Sequence, residues 1–158
     1  MKTVTTAVAL AAALLSASTA YANSVDGHAA LSLAELVGLR SPLLPAAQKD
    51  ILFKFMAGNT SFRSSDAPFA VTATEIDCTA GDVDITAHRC TLSFGAPAIQ
   101  LSGALAHELY ATMIEAGVQS EGTMGHVHES LKDLRCTIDV AAVKQNGGAG
   151  AHCDYAPF

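Results

Sequence analysis

Four cysteines, at positions 78, 90, 136 and 153, constrain this chain of 158 residues more than any other feature. The gaps between them are eleven, forty-five and sixteen residues, with none of the close C-x-x-C pairs that a four-thiolate zinc site usually shows. An even count so spaced reads as two disulfides, which form and persist in an oxidising compartment. The first residues suggest how the chain gets there. Lys2 precedes an uncharged run from Val4 to Ser16, and Ala20-Tyr21-Ala22 fits the small-x-small rule for signal-peptide cleavage. That run stops well short of the roughly 20 residues a membrane span needs. Residues 1–22 are therefore expected to be an export signal, and the rest a soluble periplasmic or secreted chain with no membrane insertion once the signal is removed.

Charge narrows the partners. Removing residues 1–22 leaves 158 − 22 = 136 residues and takes away one cation, Lys2, so the remaining charge is 8 − 15 = −7 with histidine neutral. Phosphate backbones need a cationic face, and no cluster of Lys or Arg is present to build one, so nucleic acid is excluded as a partner. An anionic membrane surface is disfavoured for the same reason. Half of the residues are apolar, which suffices for one packed core and is far too much for a disordered segment.

Laying the chain against itself suggests a duplication. A shift of 58 residues places Cys78 on Cys136, Thr79 on Thr137 and Ile76 on Leu134, and also Asp50 on Glu108, Ile51 on Leu109 and Phe55 on Met113. After an insertion, Ala87-His88-Arg89-Cys90 falls near Ala151-His152-Cys153. The expected division is a signal peptide over 1–22, an N-terminal segment with a short helix over 23–41, and two helix-strand-strand repeats over 42–97 and 98–158. One bridge per repeat then pairs Cys78 with Cys90 and Cys136 with Cys153.

Punctuation and period give the elements. Ser32-Leu33-Ala34-Glu35 matches a capping box and predicts a short helix from there to about Leu39, ended by Ser41-Pro42. A second helix is expected from Pro45 to Ala57, and a third from about Gly103 to Ala116, with Leu105, Leu109 and Met113 on one stripe. Phe69 to Thr79 alternates as a strand, and a phase slip predicts a bulge or break near His88. Leu134 to Val140 forms another strand, residues 145–150 a flexible hairpin tip, and Ala151 to Tyr155 a returning strand. The fold class is α+β, with helices packed on one face of an antiparallel sheet.

Candidates for chemistry are few. His107-Glu108 begins a zinc-protease motif, but Ala111 stands where the second histidine belongs, so both are expected to face solvent. His126 and His128 are the metal candidates, since period two in an extended segment turns both imidazoles to one side. Glu129 would then point away, and a third ligand would have to come from elsewhere, such as His107. His88 and His152 flank the second cysteine of each bridge, where an architectural hydrogen bond to a backbone carbonyl is expected. Asp77, Asp82 and Asp84 lack the spacing of a calcium loop. There is no G-x-S-x-G elbow, no phosphate-binding loop and no free thiolate, and no cofactor is expected.

The tandem layout of helix and disulfide-bearing sheet resembles that of secreted enzyme inhibitors such as the β-lactamase-inhibitory protein, a likeness of arrangement without a matching motif. The expected function is an exported, disulfide-stabilised binding or interaction module without catalysis, meeting a protein or small-molecule partner through its sheet face or loop tips. The alternatives are a periplasmic metal-binding protein using His126 and His128, and a small hydrolase whose site assembles from distant residues.

Overall fold

The computed structural model describes residues 23–63, 67–81, 84–118, 120–123 and 126–157. The expected export signal, residues 1–22, lies outside them. In chain order the elements are β1 (Asn23–Asp26), α1 (Gly27–Gly38), α2 (Ala46–Met56), β2 (Phe69–Gly81), β3 (Arg89–Ser93), β4 (Ala98–Ser102), α3 (Ala104–Glu115), β5 (Ser120–Thr123), β6 (His126–Ile138), α4 (Val140–Asn146) and β7 (Ala151–Pro157). Short 3-10 turns at Ile85–Ala87 and Gly147–Gly150 precede β3 and β7. The first is the break expected near His88.

The sheet is antiparallel throughout, in the order β1-β7-β6-β2-β3-β4, and β5 pairs with the N-terminal part of β6. The long central pair β2 and β6 is buried on one face, and both strands shift phase at the same level. On β2 the buried positions run Val71, Ala73, then Ile76, Cys78 and Ala80; on β6 they run Glu129, Leu131, then Leu134, Cys136 and Ile138. A one-residue slip would turn one half of each strand outward unless the backbone absorbed it. It does so on β6 at an irregularity between Lys132 and Arg135, where Asp133 adopts φ 51°, a region aspartate enters more readily than most residues.

Both bridges form as the repeat argument expected. Cys78 and Cys90 face each other on β2 and β3, and Cys136 and Cys153 on β6 and β7, with Cα separations of 4.1 and 3.9 Å. The second sulfur of each bridge sits under a helix. Cys90 Sγ lies 3.3 Å from the carbonyl oxygen of Ala106 on α3, and Cys153 Sγ lies 3.4 Å from that of Ala30 on α1. The core therefore lies between one sheet face and the side-by-side helices α1 and α3, where Ala30, Leu33, Val37, Ala106, Leu109 and Met113 are all fully buried.

Three expectations are corrected. The helix expected from Ser32 begins at Gly27, so Ser32 and Glu35 are interior positions and form no capping box. The shift of 58 residues relates β2 to β6, but the helix it matches to α3 is α2, which packs mainly on α1; α1 itself holds the place over Cys153 that α3 holds over Cys90. The expected strand end and hairpin tip at 140–150 is instead α4 and a 3-10 turn. Asp139 caps that helix, its Oδ1 accepting the Ala142 N–H at 3.0 Å, and Val140 and Val143 bury themselves. Glycine is required in the turn because a Cβ on Gly148 would stand 2.4 Å from the His28 backbone nitrogen.

Candidate functional site

A cleft of about 420 Å³ lies over α1. That size lies within the range of small-molecule sites. The side chains of α1 at i, i+4 and i+7, namely His28, Ser32 and Glu35, line its floor with Leu31 and Leu36. Glu108 and Thr112 come from α3, Phe55 and Met56 from the end of α2, Gly58 and Thr60 from the following loop, and Val143 and Gly147 from α4 and its turn. Gly147, at φ 62°, lets that turn close against the His28 ring, since its missing Cβ would lie 3.2 Å from His28 Cε1.

Glu35 is the unusual member. It is 7% exposed, and no hydrogen bond or ion pair reaches its side chain from the described residues. Desolvation by the surrounding apolar groups raises its carboxyl from the ordinary 4.5 to about 7. At neutral pH the cleft therefore holds a carboxyl poised between its acid and its base. Glu108 is exposed at the rim, and neither Lys nor Arg lines the cleft. Thr112 is buried beside it.

A second polar cluster lies over the other bridge. His88, 6% exposed, faces His107 of α3 with their Nδ1 atoms 3.0 Å apart, and the Tyr110 ring stands edge-on to His88 at 5.7 Å. One imidazole must donate and the other accept, which requires at least one neutral ring. Burial, and secondarily the negative charge of fully buried Glu129, raise the Tyr110 hydroxyl above its ordinary range. His107 is thus half-buried against His88 rather than solvent-facing, while Glu108 is exposed as expected.

The remaining expected sites are dispersed. His128 lies on β6 opposite Thr79, its Nε2 2.5 Å from Asp77 Oδ1 on the open face of the sheet, with Glu129 turned the other way into the core. His126 is two residues earlier on β6; its side chain, like Asp82, lies outside the described residues. Among the described residues no group of three or more His, Cys, Asp or Glu side chains is placed to hold a metal ion. His152 is held by carboxylates rather than a carbonyl, with Nδ1 2.5 Å from Asp26 of β1 and Nε2 3.1 Å from Asp154. Those contacts, Asp26 first, raise its imidazole above the ordinary range. Asp84 Oδ1 accepts the Thr86 N–H at 2.9 Å and caps the turn before β3, a local role as expected.

Sequence reasoning passed over Glu35 because it assigned the residue to a capping box. The available signal was a carboxylate inside an otherwise apolar run, Leu33-Ala34-Glu35-Leu36-Val37. No protein-family model, curated protein or solved structure matches this chain.

Proposed function

We propose that this chain is an exported, disulfide-stabilised module that binds a small ligand in the cleft over α1 and performs no chemistry on it. The observation that carries the reading is the cleft itself, which joins apolar walls to a buried carboxyl unmatched by any described side chain. Binding sites combine a mainly apolar lining with a few placed polar groups, and this cleft has that composition. Export is supported by the two disulfides and by the sequence of residues 1–22. No helix among the described residues is long and apolar enough to cross a membrane. The concave site lies on the helical side of the molecule, so the ligand surface moves there from the sheet face and loop tips.

The reading includes an ancestral duplication, with units redrawn as β1-α1-β2-β3 and β4-α3-β6-β7. Its support is the sheet order, which reads the same from either edge when β1 is equated with β4, β7 with β3 and β6 with β2. The placement of each second cysteine under an alanine of the other unit's helix, Cys90 under Ala106 of α3 and Cys153 under Ala30 of α1, supports it too.

The test is to purify the chain from its native compartment, release bound small molecules by denaturation and identify them by mass spectrometry. Added back to ligand-free protein, the ligand should perturb amide resonances at Ser32, Glu35, Thr60, Thr112 and Gly147 and be recovered unchanged. Perturbations confined to Asp77, His128 and the open sheet face would overturn the location. A converted ligand would overturn the absence of chemistry.

A further inference from the structure

We infer that the cleft takes an organic cation, an amine protonated at neutral pH on a compact apolar body, with its ammonium seated on the Glu35 carboxylate. The inference deepens the binding role proposed above and rests on it. A glutamate that is more than nine-tenths buried and whose carboxyl lines a cavity, with no hydrogen-bond donor reaching it from the described residues, is costly when ionised, and an incoming ammonium supplies both the charge and the donors it lacks. Leu31, Leu36, Phe55 and Val143 offer the apolar wall. Charge agrees at longer range, because Glu108 stands at the mouth and the whole chain carries −6. An anion would meet two glutamates and no Lys or Arg in the lining. The titratable groups of the cleft are His28 and Glu35 on α1 and Glu108 on α3.

Binding moves one proton. A protonated Glu35 must release its proton to solvent when the ammonium arrives, so affinity should rise with pH as Glu35 ionises. With the free carboxyl titrating at about 7, the gain from about pH 5.5 to about pH 8 approaches 30-fold when the complex keeps Glu35 ionised throughout. His28 is the other titratable side chain that α1 contributes to the cleft, so His28→Gln serves to separate any contribution of its imidazole to the pH dependence from that of Glu35.

Three isosteric probes decide the matter by isothermal titration calorimetry: 4-phenylbutylamine, 4-phenylbutan-1-ol and 4-phenylbutyrate. The expected result is 1:1 binding of the amine alone, strengthening with pH, with that rise in affinity still seen in His28→Gln and with affinity reduced at least tenfold in Glu35→Gln. Titration near neutral pH in two buffers of different ionisation enthalpy should register proton release in the wild type. If Glu35→Gln fails to fold, the wild-type pH series and proton count decide alone. Equal binding of amine and alcohol at both pH values would overturn the cation assignment and leave the cleft as a binding site. Binding of none of the probes would also overturn the assignment, while the native-ligand experiment above still judges the broader reading.

Discussion

Replacing Glu35 by glutamine should make the protein more stable, and only at high pH. In the unfolded chain this carboxyl loses its proton near 4.5, whereas in the folded chain burial delays the loss to about 7. Between those values the folded state holds a proton that the unfolded state has released, so stability falls as pH rises through the window and stays low above it. The interval of about 2.5 pH units at 1.36 kcal/mol each gives an upper figure of about 3 kcal/mol. Because the cleft side of the carboxyl is open to water, about 2 kcal/mol is the working expectation. Glutamine keeps the shape and cannot ionise. Urea denaturation of the oxidised protein at about pH 4.5 and about pH 8.5 measures the difference. The variant should match the wild type within about 0.5 kcal/mol at the acid end and exceed it by about 2 kcal/mol at the alkaline end. A gap of equal size at both ends would refute the reasoning, because it would mean that packing, not ionisation, distinguishes the two side chains.

Four further outcomes are expected. Removing either bridge by paired Cys→Ser substitution should cost about 3 kcal/mol, since the closed segments span 12 and 17 positions, and denaturant midpoints of the two variants should fall by similar amounts. Gly148→Ala should destabilise by roughly 2 kcal/mol or more, because the clash is with the His28 and Gly27 backbone rather than with a movable side chain; an unchanged melting temperature would refute the close approach. His152→Gln should lose up to about 1 kcal/mol at about pH 5.5 and little at about pH 9. The raised imidazole contributes while protonated, below its ordinary 6.5, and that contribution is lost as pH climbs through its folded value; urea denaturation should show the loss shrinking with pH. Titration with Zn²⁺ or Cu²⁺ should give no stoichiometric binding that disappears in the His126→Ala/His128→Ala double variant, given that Asp77 already engages His128.

What was legible in the sequence followed from local chemistry, and what was missed depended on what each element is packed against. Alternation placed β2 within two residues, and the stripe of α3 placed that helix within one at each end, because each pattern reports a single buried face. The cysteine pairing was readable from the match of Cys78 with Cys136 and of Cys90 with Cys153, although the bridged separations, 12 and 17 positions, differ. By contrast the start of α1 was misplaced because Ser32-Leu33-Ala34-Glu35 imitates a capping box inside a helix that already runs from Gly27; Leu33 to Gly38 are all buried, in a helix that contacts the sheet, α2 and α3. The six residues 145–150 read as a loose tip because four are glycine or asparagine. In space those glycines permit close contact: Gly148 lies on the backbone of Gly27 and His28, Gly147 against the His28 ring, and Gly150 against Asp139 and Val143. Composition alone cannot separate a flexible glycine run from one required by close contact.

The same contrast explains why the site lies on α1 and not on α3. Counting from the alanine that touches each bridge, Ala30 or Ala106, the third and seventh following residues are fully buried in both helices: Leu33 and Val37, Leu109 and Met113. The fifth differs. On α1 it is Glu35, buried; on α3 it is Ala111, exposed. The corresponding face of α1 is walled by the end of α2, the loop at Gly58 and Thr60, and the turn after α4. Among the described residues no such cover lies over Ala111, which is exposed. A carboxylate at the open position on α3 would be solvated and ordinary, whereas the cover over α1 desolvates Glu35 and raises its proton affinity toward neutrality. The perturbed group is therefore a consequence of α2, its following loop and the turn after α4, which together cover this face of α1. Changes in α2 or its following loop should alter Glu35 titration while leaving the bridged sheet intact.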